Sequence, residues 1–554
     1  MFMLLSVAVQ AQRDYEKYAK TFLTEHCQYN PYSMRVVKET DDFVVLTSTK
    51  KPSFVILARD KYDDILPNPV LAYSTESAIY PDKDGVVDGD IFAYYTQVLH
   101  ELRKDSVTYN GYEGFTGEKR LKTVVFGQQK FDMLIIGERG MRVAGCVPTA
   151  ATQMMYYHKW PEYTHGKYLF YRPDDNGYVF RINVEGMHLN WPTDCSIYNS
   201  TTRRLIAPDR FLAINGLLFE ADFGLERTSA NMQFCKRSFV THYGYSRKMI
   251  FCNDQEEGKM LRALRSELDV DRPVMVGRWG HAFIIDGYDS DFFHFNLGWY
   301  GYRDGYYRIF PEIGRQSEHD SWEMILGIMP EHKEQFTEKT VTLTQPGTLS
   351  DYITAEDYDN LGSLKVIGPI NGKDIRLLRD LSGGAKVDVP IEKRGVLSSL
   401  DLSAASIVAS KDVYNEYWEF SDEHKKYTDC HEWSDCWQEE VIPHKAYVTR
   451  MFTIKNQIGL DMFCECDGLE TIILPTNVTH IGWEAFGECT MLRSITIPPS
   501  VKYVKDNIFR RCKSLIEIHC DRNASFVKCD TTATDTTFTH PFKGLYPYTS
   551  VIPE

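Results

Sequence analysis

The residues best suited to chemistry begin at a cysteine in the stretch Gly145–Pro161, which reads GCVPTAATQMMYYHKWP. Ala150, Met154 and Tyr157 recur at helical spacing, which predicts a helix that starts near Cys146. The positive end of a helix dipole favours the thiolate, and the thiolate is the nucleophilic form of cysteine. Cys146 is therefore the candidate nucleophile, although a free cysteine taken alone is more often buried and inert.

A cysteine nucleophile needs a histidine to carry the proton, and that histidine needs a group to orient its ring. His281 lies 135 residues after Cys146, at the start of an apolar, strand-like run. Asn296 follows in the segment FNLGW and offers an amide oxygen that could accept the ring N–H, with Asp286 as a competing orienter. Asn296 could equally cap a hairpin, so its role is open on these residues alone.

Acyl transfer also requires hydrogen-bond donors for the oxyanion. The backbone N–H of Cys146 is one, because it stands at a helix start. The upstream segment FGQQKFDM offers a side-chain amide as the second, Gln128, with Gln129 as the alternate. A lone glutamine is more commonly a polar surface residue.

The composition excludes several classes of function. The chain has 554 residues, 43% hydrophobic and 25% charged, which is typical of a soluble protein with several domains. Its net charge of −15, without a basic block, argues against nucleic acid as a partner. After the first residues, the sequence contains no uninterrupted run of 18 apolar residues, so no membrane span is predicted. Cys464 and Cys466 alone have zinc-like spacing, and the repeats explain them better, so no metal or other cofactor is expected.

The first residues, MFMLLSVAVQAQ, are apolar and end in a V-x-A pattern. They predict a partial signal peptide over residues 1–11, and hence an exported protein.

Residues 12–118 are expected to form a small α+β unit that precedes the catalytic candidate. Helical spacing and strand-like runs predict, in order, a helix over 13–25, strands at 43–49, 53–60 and 70–74, and a helix over 90–104. A polar, glycine-bearing connector over 105–122 then contains Lys119 and Arg120. Such a connector is typical of a propeptide junction, and equally of an interdomain linker.

Residues 119–335 are expected to form the catalytic unit. Its first half contains the predicted helix at Cys146, and its second half contains four short strand-like runs separated by glycine, aspartate and serine, at 274–276, 282–286, 292–296 and 305–310. The unit therefore combines a helical half with an antiparallel β half.

A repeat begins after residue 440. Phenylalanine, cysteine, leucine and isoleucine each recur every 23 residues, at 463/486/509, 466/489/512, 469/492/515 and 472/495/518. Four columns in one register predict a β-rich solenoid over 441–554, with these side chains in its interior. Residues 336–440 are assigned to a linker and a degenerate repeat region.

The Cys146 segment, together with GHAFIIDGYDSDFFHFNLGWYGYRDGYYRI from Gly280, resembles the streptopain family of papain-like cysteine peptidases. Residues 13–104 resemble that family's inhibitory propeptide, and the 23-residue repeats resemble BspA-like leucine-rich repeats of bacterial surface proteins. The resemblance implies a papain-like fold, a multidomain α+β chain, and catalysis by Cys146 and His281. Gln128 matches the oxyanion glutamine, with Phe126 in place of a tryptophan.

The resemblance further implies a secreted bacterial endopeptidase, made as a zymogen and acting on protein or peptide substrates. Asn296 would orient His281, and Trp299 would shield that contact from water. The repeats would bind a partner, such as a host or cell-surface protein.

Three residues depart from the family pattern. Pro148 stands where alanine is usual, Trp279 where glycine is usual, and Leu297 where tryptophan is usual in an Asn-Trp-Gly-Trp run. Trp279 and Leu297 favour an alternative: a weak or inactive peptidase homologue that works as a surface adhesin through its repeats.

Overall fold

A computed structural model describes residues 13–553 except at a set of internal gaps. These gaps are 85, 88, 106–107, 113–114, 129, 133–139, 167–168, 172–179, 183, 190, 192–197, 200–203, 206–208, 220, 222, 224–227, 254–256, 311–321, 332–334, 421–436, 443–445, 506, 521–525, 529–536 and 539–549. The predicted signal peptide and Gln129 lie outside the described residues. Among the residues described, none of the helices combines the length and apolarity needed to span a bilayer.

The N-terminal unit is a four-stranded antiparallel meander flanked by two helices. Its elements are α1 (Tyr15–Glu25), β1 (Arg35–Glu39), β2 (Phe43–Ser48), β3 (Ser53–Ala58), β4 (Val70–Ser74) and α2 (Asp90–Asp105). Both faces of β2 and β3 are buried, because α1 covers one face and α2 the other. The elements expected from periodicity are all present, and β1 is additional.

The next unit has helices around an antiparallel sheet. Its elements are β5 (Glu118–Arg120), β6 (Lys130–Asp132), β7 (Met141–Val143), α3 (Cys146–His158), β8 (Leu169–Tyr171), β9 (Phe180–Ile182), β10 (Tyr198–Asn199), β11 (Arg204–Leu205), α4 (Asp209–Leu218), α5 (Cys235–Tyr243), β12 (Ile250–Cys252), α6 (Glu257–Asp269), β13 (Val274–Arg278), β14 (His281–Asp289), β15 (Phe292–Asn296), β16 (Gly305–Arg308) and β17 (Glu323–Leu326). This mixed α/β architecture agrees with the expected papain-like combination of a helical half and a β half.

The two N-terminal units share one sheet. Its strand order is β1-β2-β3-β4-β16-β15-β14-β13-β17-β12, with β5 paired to β14. The joint is the antiparallel pairing of β4 with β16, where Tyr73 opposes Tyr306 and Ala72 opposes Tyr307. The predicted propeptide is thus an extension of the sheet that carries His281.

The C-terminal unit is a solenoid of short parallel strands. Its elements are β18 (Thr337–Thr342), α7 (Ala355–Asn360), β19 (Leu361–Ile370), α8 (Gly372–Leu381), β20 (Ser399–Asp401), β21 (Ala405–Ile407), β22 (Val413–Phe420), β23 (Trp437–Ile442), β24 (Ala446–Phe452), β25 (Gln457–Ile458), β26 (Thr471–Ile473), β27 (His480–Ile481), β28 (Ser494–Thr496), β29 (Tyr503–Val504), β30 (Glu517–Cys520), β31 (Phe526–Lys528), β32 (Thr537–Phe538) and β33 (Ser550–Pro553). One parallel sheet runs β18-β19-β20-β26-β28-β30-β33, and a second contains β25, β27, β29 and β31. The strands β22, β24 and β23 form a separate antiparallel sheet. The first sheet begins at β18, so residues from Thr337 onward contribute to the same array.

The 23-residue period is visible in the packing of the array. Cys466, Cys489 and Cys512 are fully buried in one apolar cluster with the repeated phenylalanines. The Cys489 and Cys512 thiols each donate to a phenylalanine carbonyl of the preceding repeat, at 3.0 and 2.9 Å. These cysteines are therefore interior packing residues.

Candidate active site

Cys146 is the first residue of α3 and is half-buried. The residue before it, Gly145, has φ of 87°, and a Cβ there would lie 2.8 Å from the Thr228 side chain. Only glycine fits this turn, and the turn places the sulfur at the positive end of the helix. Pro148 is the third helical residue, where its missing N–H costs no helical hydrogen bond. This departure from the family pattern leaves the nucleophile helix intact.

His281 is the first residue of β14, directly after the two-residue turn Trp279–Gly280 that joins β13 to β14. Its Nε2 atom lies 2.8 Å from the backbone carbonyl oxygen of Leu297. Because a carbonyl can only accept, Nε2 carries the proton and Nδ1 is the nitrogen left to face a thiol. The Trp299 ring stacks on the imidazole, with centroids 4.7 Å apart and planes 24° apart.

Burial lowers the pKa of His281 below its ordinary value, because desolvation disfavours the imidazolium. The hydrogen bond to Leu297 and the charge of Asp90 oppose this shift. Asp90 belongs to α2 of the predicted propeptide, so the N-terminal unit contributes to the electrostatics of the histidine.

The Leu297 backbone is held on both sides. Its N–H donates to the Asp304 side-chain oxygen Oδ1 at 2.9 Å, and the following N–H, of Gly298, lies 3.3 Å from the Asn296 side-chain oxygen. The Gly298 N–H and the Leu297 carbonyl belong to one planar peptide group. The Asn296 side chain is therefore linked to His281 through the Leu297–Gly298 peptide group, where the sequence predicts a direct contact.

The Asn296 side chain is buried and fully engaged. Its amide nitrogen donates to the Thr123 hydroxyl at 2.9 Å and to the Val124 carbonyl at 3.0 Å. Its oxygen also accepts from the Gln153 side chain at 3.1 Å. Gln153 lies two turns after Cys146 on α3, so this bond ties the nucleophile helix to the segment that orients the histidine.

Asp286, the competing orienter, has other partners. It is fully buried, and its carboxylate meets Arg120 at 2.5 Å, His294 at 2.7 Å and the Thr123 hydroxyl. Burial acts to raise the pKa of Asp286, but His294 and Arg120 outweigh it and the pKa is lowered. Asp286 thus anchors Arg120, in the strand of the predicted junction, beneath the site.

Two clefts meet at Cys146 and His281. The first, here the histidine-side cleft, is lined by Gln128, Leu297, Trp299 and the segment Gly89–Ile91 of the predicted propeptide, besides Cys146 and His281. Gln128, the predicted oxyanion donor, therefore faces the same space as the nucleophile. Gly127 before it is confined by the Tyr300 ring, which a Cβ would approach to 2.6 Å.

The second, here the Met232 cleft, also contains Cys146 and His281. Its other lining residues are Val147, Thr228, Ser229, Ala230, Met232, Gly277, Arg278, Trp279, Gly280, Ala282 and Glu323. The sulfur and the imidazole thus lie at the junction of two grooves, as a site for an extended peptide requires.

Trp279, which departs from the family's usual glycine, lines both clefts. It adopts φ of 55°, in the left-handed region that favours glycine. Its ring packs 5.4 Å from that of Tyr94 in α2. The tryptophan therefore adds a contact between the catalytic unit and the predicted propeptide.

A separate buried group in the array has metal-ligand chemistry. Among the described residues, ligand atoms of Asp461, Cys464 and Glu484 lie within 4.8 Å of one another. Arg510 already pairs with Glu484 at 2.8 Å. The group lies within the array core and is absent from both active-site clefts.

The sequence did not predict four residues that contact the site through the backbone or from distant segments, namely Leu297, Asp304, Arg120 and Gln153. In the sequence Leu297 stands out only for its side chain, yet its carbonyl orients the ring. Asp304 and Arg120 act through contacts that depend on strand pairing, and Gln153 stands out only as a polar helical residue. No local pattern marks these contacts.

The helix-borne cysteine, the strand-borne histidine and the mixed α/β fold are the arrangement expected of a papain-like cysteine peptidase. Residues 127–307 match the Peptidase C10 family. Residues 451–533 match the BspA type leucine rich repeat region, in six copies.

Two named relatives and one solved structure are similar to parts of this chain. Streptopain of Streptococcus pyogenes is 25% identical over 290 residues, which cover 46% of this chain and 71% of that protein. The thiol protease/hemagglutinin PrtT of Porphyromonas gingivalis is 31% identical over 182 residues, 29% of this chain and 20% of that protein. Among solved structures, a prointerpain A fragment from Prevotella intermedia has 22% identity and a TM-score of 0.42, covering 54% of this chain and 99% of that one.

Proposed function

We propose that this chain is the precursor of an exported cysteine endopeptidase that cleaves proteins through an acyl-enzyme. The observation that carries the proposal is the shared position of Cys146 and His281 at the junction of two clefts, with the ring held by Leu297. Leucine in place of the usual tryptophan at position 297 favours the alternative of an inactive homologue. The hydrogen bond from His281 to the Leu297 backbone weakens that argument, because it does not depend on the Leu297 side chain.

In the proposed mechanism, the Cys146 thiolate pairs with the His281 imidazolium and attacks a peptide carbonyl. The Cys146 N–H and the Gln128 side chain donate to the oxyanion. His281 then protonates the leaving amine, and water attacks the thioester to release the acyl group. Asn296 positions the peptide that orients His281, and the stacked Trp299 ring keeps water from the ring's hydrogen bond.

The N-terminal unit acts as the inhibitory propeptide in this proposal. Gly89–Ile91 lines the histidine-side cleft, where it would compete with substrate. The β4–β16 pairing and the stacked Tyr80 and Tyr302 rings, 6.2 Å apart, hold the unit in place. Cleavage of the connector after α2 would release it and open the cleft.

Export through the predicted signal peptide would bring the precursor to its place of action. The repeat array would there bind a protein partner, for which a host or cell-surface protein is the proposed class. This assignment rests on the repeat architecture and on the large surface that a solenoid presents.

The test is active-site labelling of the matured protein with a thiol-directed epoxide. We expect one label per chain, at Cys146, together with hydrolysis of a protein substrate such as casein. Cys146→Ala should abolish labelling and hydrolysis, and Cys252→Ala, at a buried free cysteine of the catalytic unit that remains after maturation, should change neither. A matured protein that is neither labelled nor active would support the adhesin alternative.

A further inference from the structure

The wall of the Met232 cleft is built by a short turn. Met232 begins the 3-10 turn Met232–Phe234, which is capped by Asn231 and leads directly into α5. Met232 is buried, and its sulfur packs so closely on Gly277 that a Cβ there would lie 2.8 Å away. The position of this turn therefore decides how much room a substrate side chain has beside Cys146 and His281.

The repeat array contacts this turn from outside. The Lys513 ammonium lies 3.9 Å from the centre of the Phe234 ring, a cation–π contact. The Arg511 guanidinium lies 3.5 Å from the Gln233 side-chain oxygen. Both contacts come from one inter-repeat turn of the array, between the buried core positions Phe509 and Leu515.

A buried ion pair fixes the start of α5 to the array. Lys236 and Asp467 form a salt bridge with side chains only 0% and 5% exposed. Gly383 closes over this pair, since a Cβ there would come within 2.6 Å of the Lys236 nitrogen. A buried pair of this kind is rigid, because separating the charges leaves each without solvation.

The array is also joined to the catalytic unit away from the turn. Arg247 pairs with Glu470, and Lys248 with Asp359. Ala385 and Val387, from the loop after α8, are buried in the same apolar cluster as the strands of the catalytic sheet. The array is therefore packed into the catalytic unit, unlike a module on a flexible tether.

From these contacts we propose that the repeat array positions the Met232 wall of the substrate cleft and so helps to set which peptides are cleaved. Lys513 and the Lys236–Asp467 pair are positioning residues, since they act through Phe234 and α5 and touch no substrate. This inference rests on the proposed peptidase function. It gives the array a role in substrate selection in addition to binding a partner.

The experiment compares Lys513→Ala and Asp467→Asn in the full-length, matured protein. Kinetics are measured on peptides that differ at one position, from a small to a large apolar side chain. We expect the ratio of kcat/KM between the two peptides to shift about two- to fivefold in Lys513→Ala, and about tenfold in Asp467→Asn. Alkylation of Cys146 by iodoacetamide, a reagent too small to need the wall, should stay within about twofold of the parent rate.

Lys502→Ala is the matched control, because Lys502 is an exposed lysine of the same array. It should leave both the ratio and the alkylation rate unchanged. Equal ratios in the parent and Lys513→Ala would overturn the inference, and this exposed variant keeps the test decisive if Asp467→Asn does not fold. A parent that is neither alkylated at Cys146 nor active would instead refute the proposed peptidase function.

Discussion

The Nε2 atom of His281 donates to the backbone carbonyl of Leu297 at 2.8 Å. A backbone acceptor is present whatever side chain follows Asn296, so leucine in place of the family's usual tryptophan leaves the orienting hydrogen bond in place. The Leu297 peptide is in turn held by Asn296 and Asp304. The orientation of the His281 ring is thus set by a loop whose backbone is hydrogen-bonded by two side chains.

Asn296→Ala should lower kcat about 10- to 100-fold, because it releases the Gly298 N–H and lets the Leu297 peptide rotate. Leu297→Met should keep kcat within about threefold, since the two side chains have similar volumes and the carbonyl is retained. Steady-state kinetics on one peptide substrate checks both. An equal loss in the two variants would show that the Leu297 side chain carries the effect.

Gln128→Ala should lower kcat about 10²- to 10³-fold, the usual cost of losing one oxyanion donor. Alkylation of Cys146 by iodoacetamide forms no oxyanion, so its rate should stay within about twofold. Gln345→Ala, at an exposed glutamine of the array, is the control and should change neither value. Unchanged turnover in Gln128→Ala would remove this residue from the site.

The N-terminus of the matured protein should fall before Glu118. The strand Glu118–Arg120 pairs with β14, and its Arg120 side chain neutralises the fully buried Asp286. This strand should therefore remain in the protein after processing. Mass spectrometry of the matured chain locates the cut. A mature chain that starts after Arg120 and is as stable as a longer one would contradict this expectation.

Arg120→Gln should lower the free energy of unfolding by about 3 kcal/mol, because it removes the guanidinium that neutralises the buried Asp286 carboxylate. Lys119→Gln is the neighbouring control. The Lys119 ammonium pairs with the exposed carboxylate of Asp271, so its loss should cost less than about 1 kcal/mol. Urea unfolding of both variants on a Cys146→Ala background, which prevents self-cleavage, gives the comparison.

Burial raises the pKa of Asp304 to about 8, with Asp286 and Glu76 adding to the shift and Arg120 opposing it. The folded protein therefore holds a proton that the unfolded chain loses near the ordinary aspartate pKa of 3.8, so stability falls as pH rises from about 4 to 8. Asp304→Asn keeps an acceptor for the Leu297 N–H but cannot ionise. The melting temperature of the variant should rise relative to that of the parent between about pH 4 and about pH 8. Parallel pH profiles of the two proteins would refute this.

The sequence alone determined the features that depend on local pattern. The helix at Cys146, the strand at His281 and the 23-residue repeat follow from periodicity and from the helix dipole, which are properties of short segments. The resemblance of two long motifs then identified the class of enzyme, and the C10 and BspA-type matches agree with it.

Tertiary structure decided what depends on pairing between distant segments. Every residue has a carbonyl, so no sequence pattern could mark Leu297 as the acceptor for His281 in place of the Asn296 amide. Arg120 looked like part of a loose connector, because the buried charge that holds it lies on β14. The contact between the array and Phe234 likewise arises only when the solenoid packs against α5, and burial of Lys236 with Asp467 fixes that arrangement.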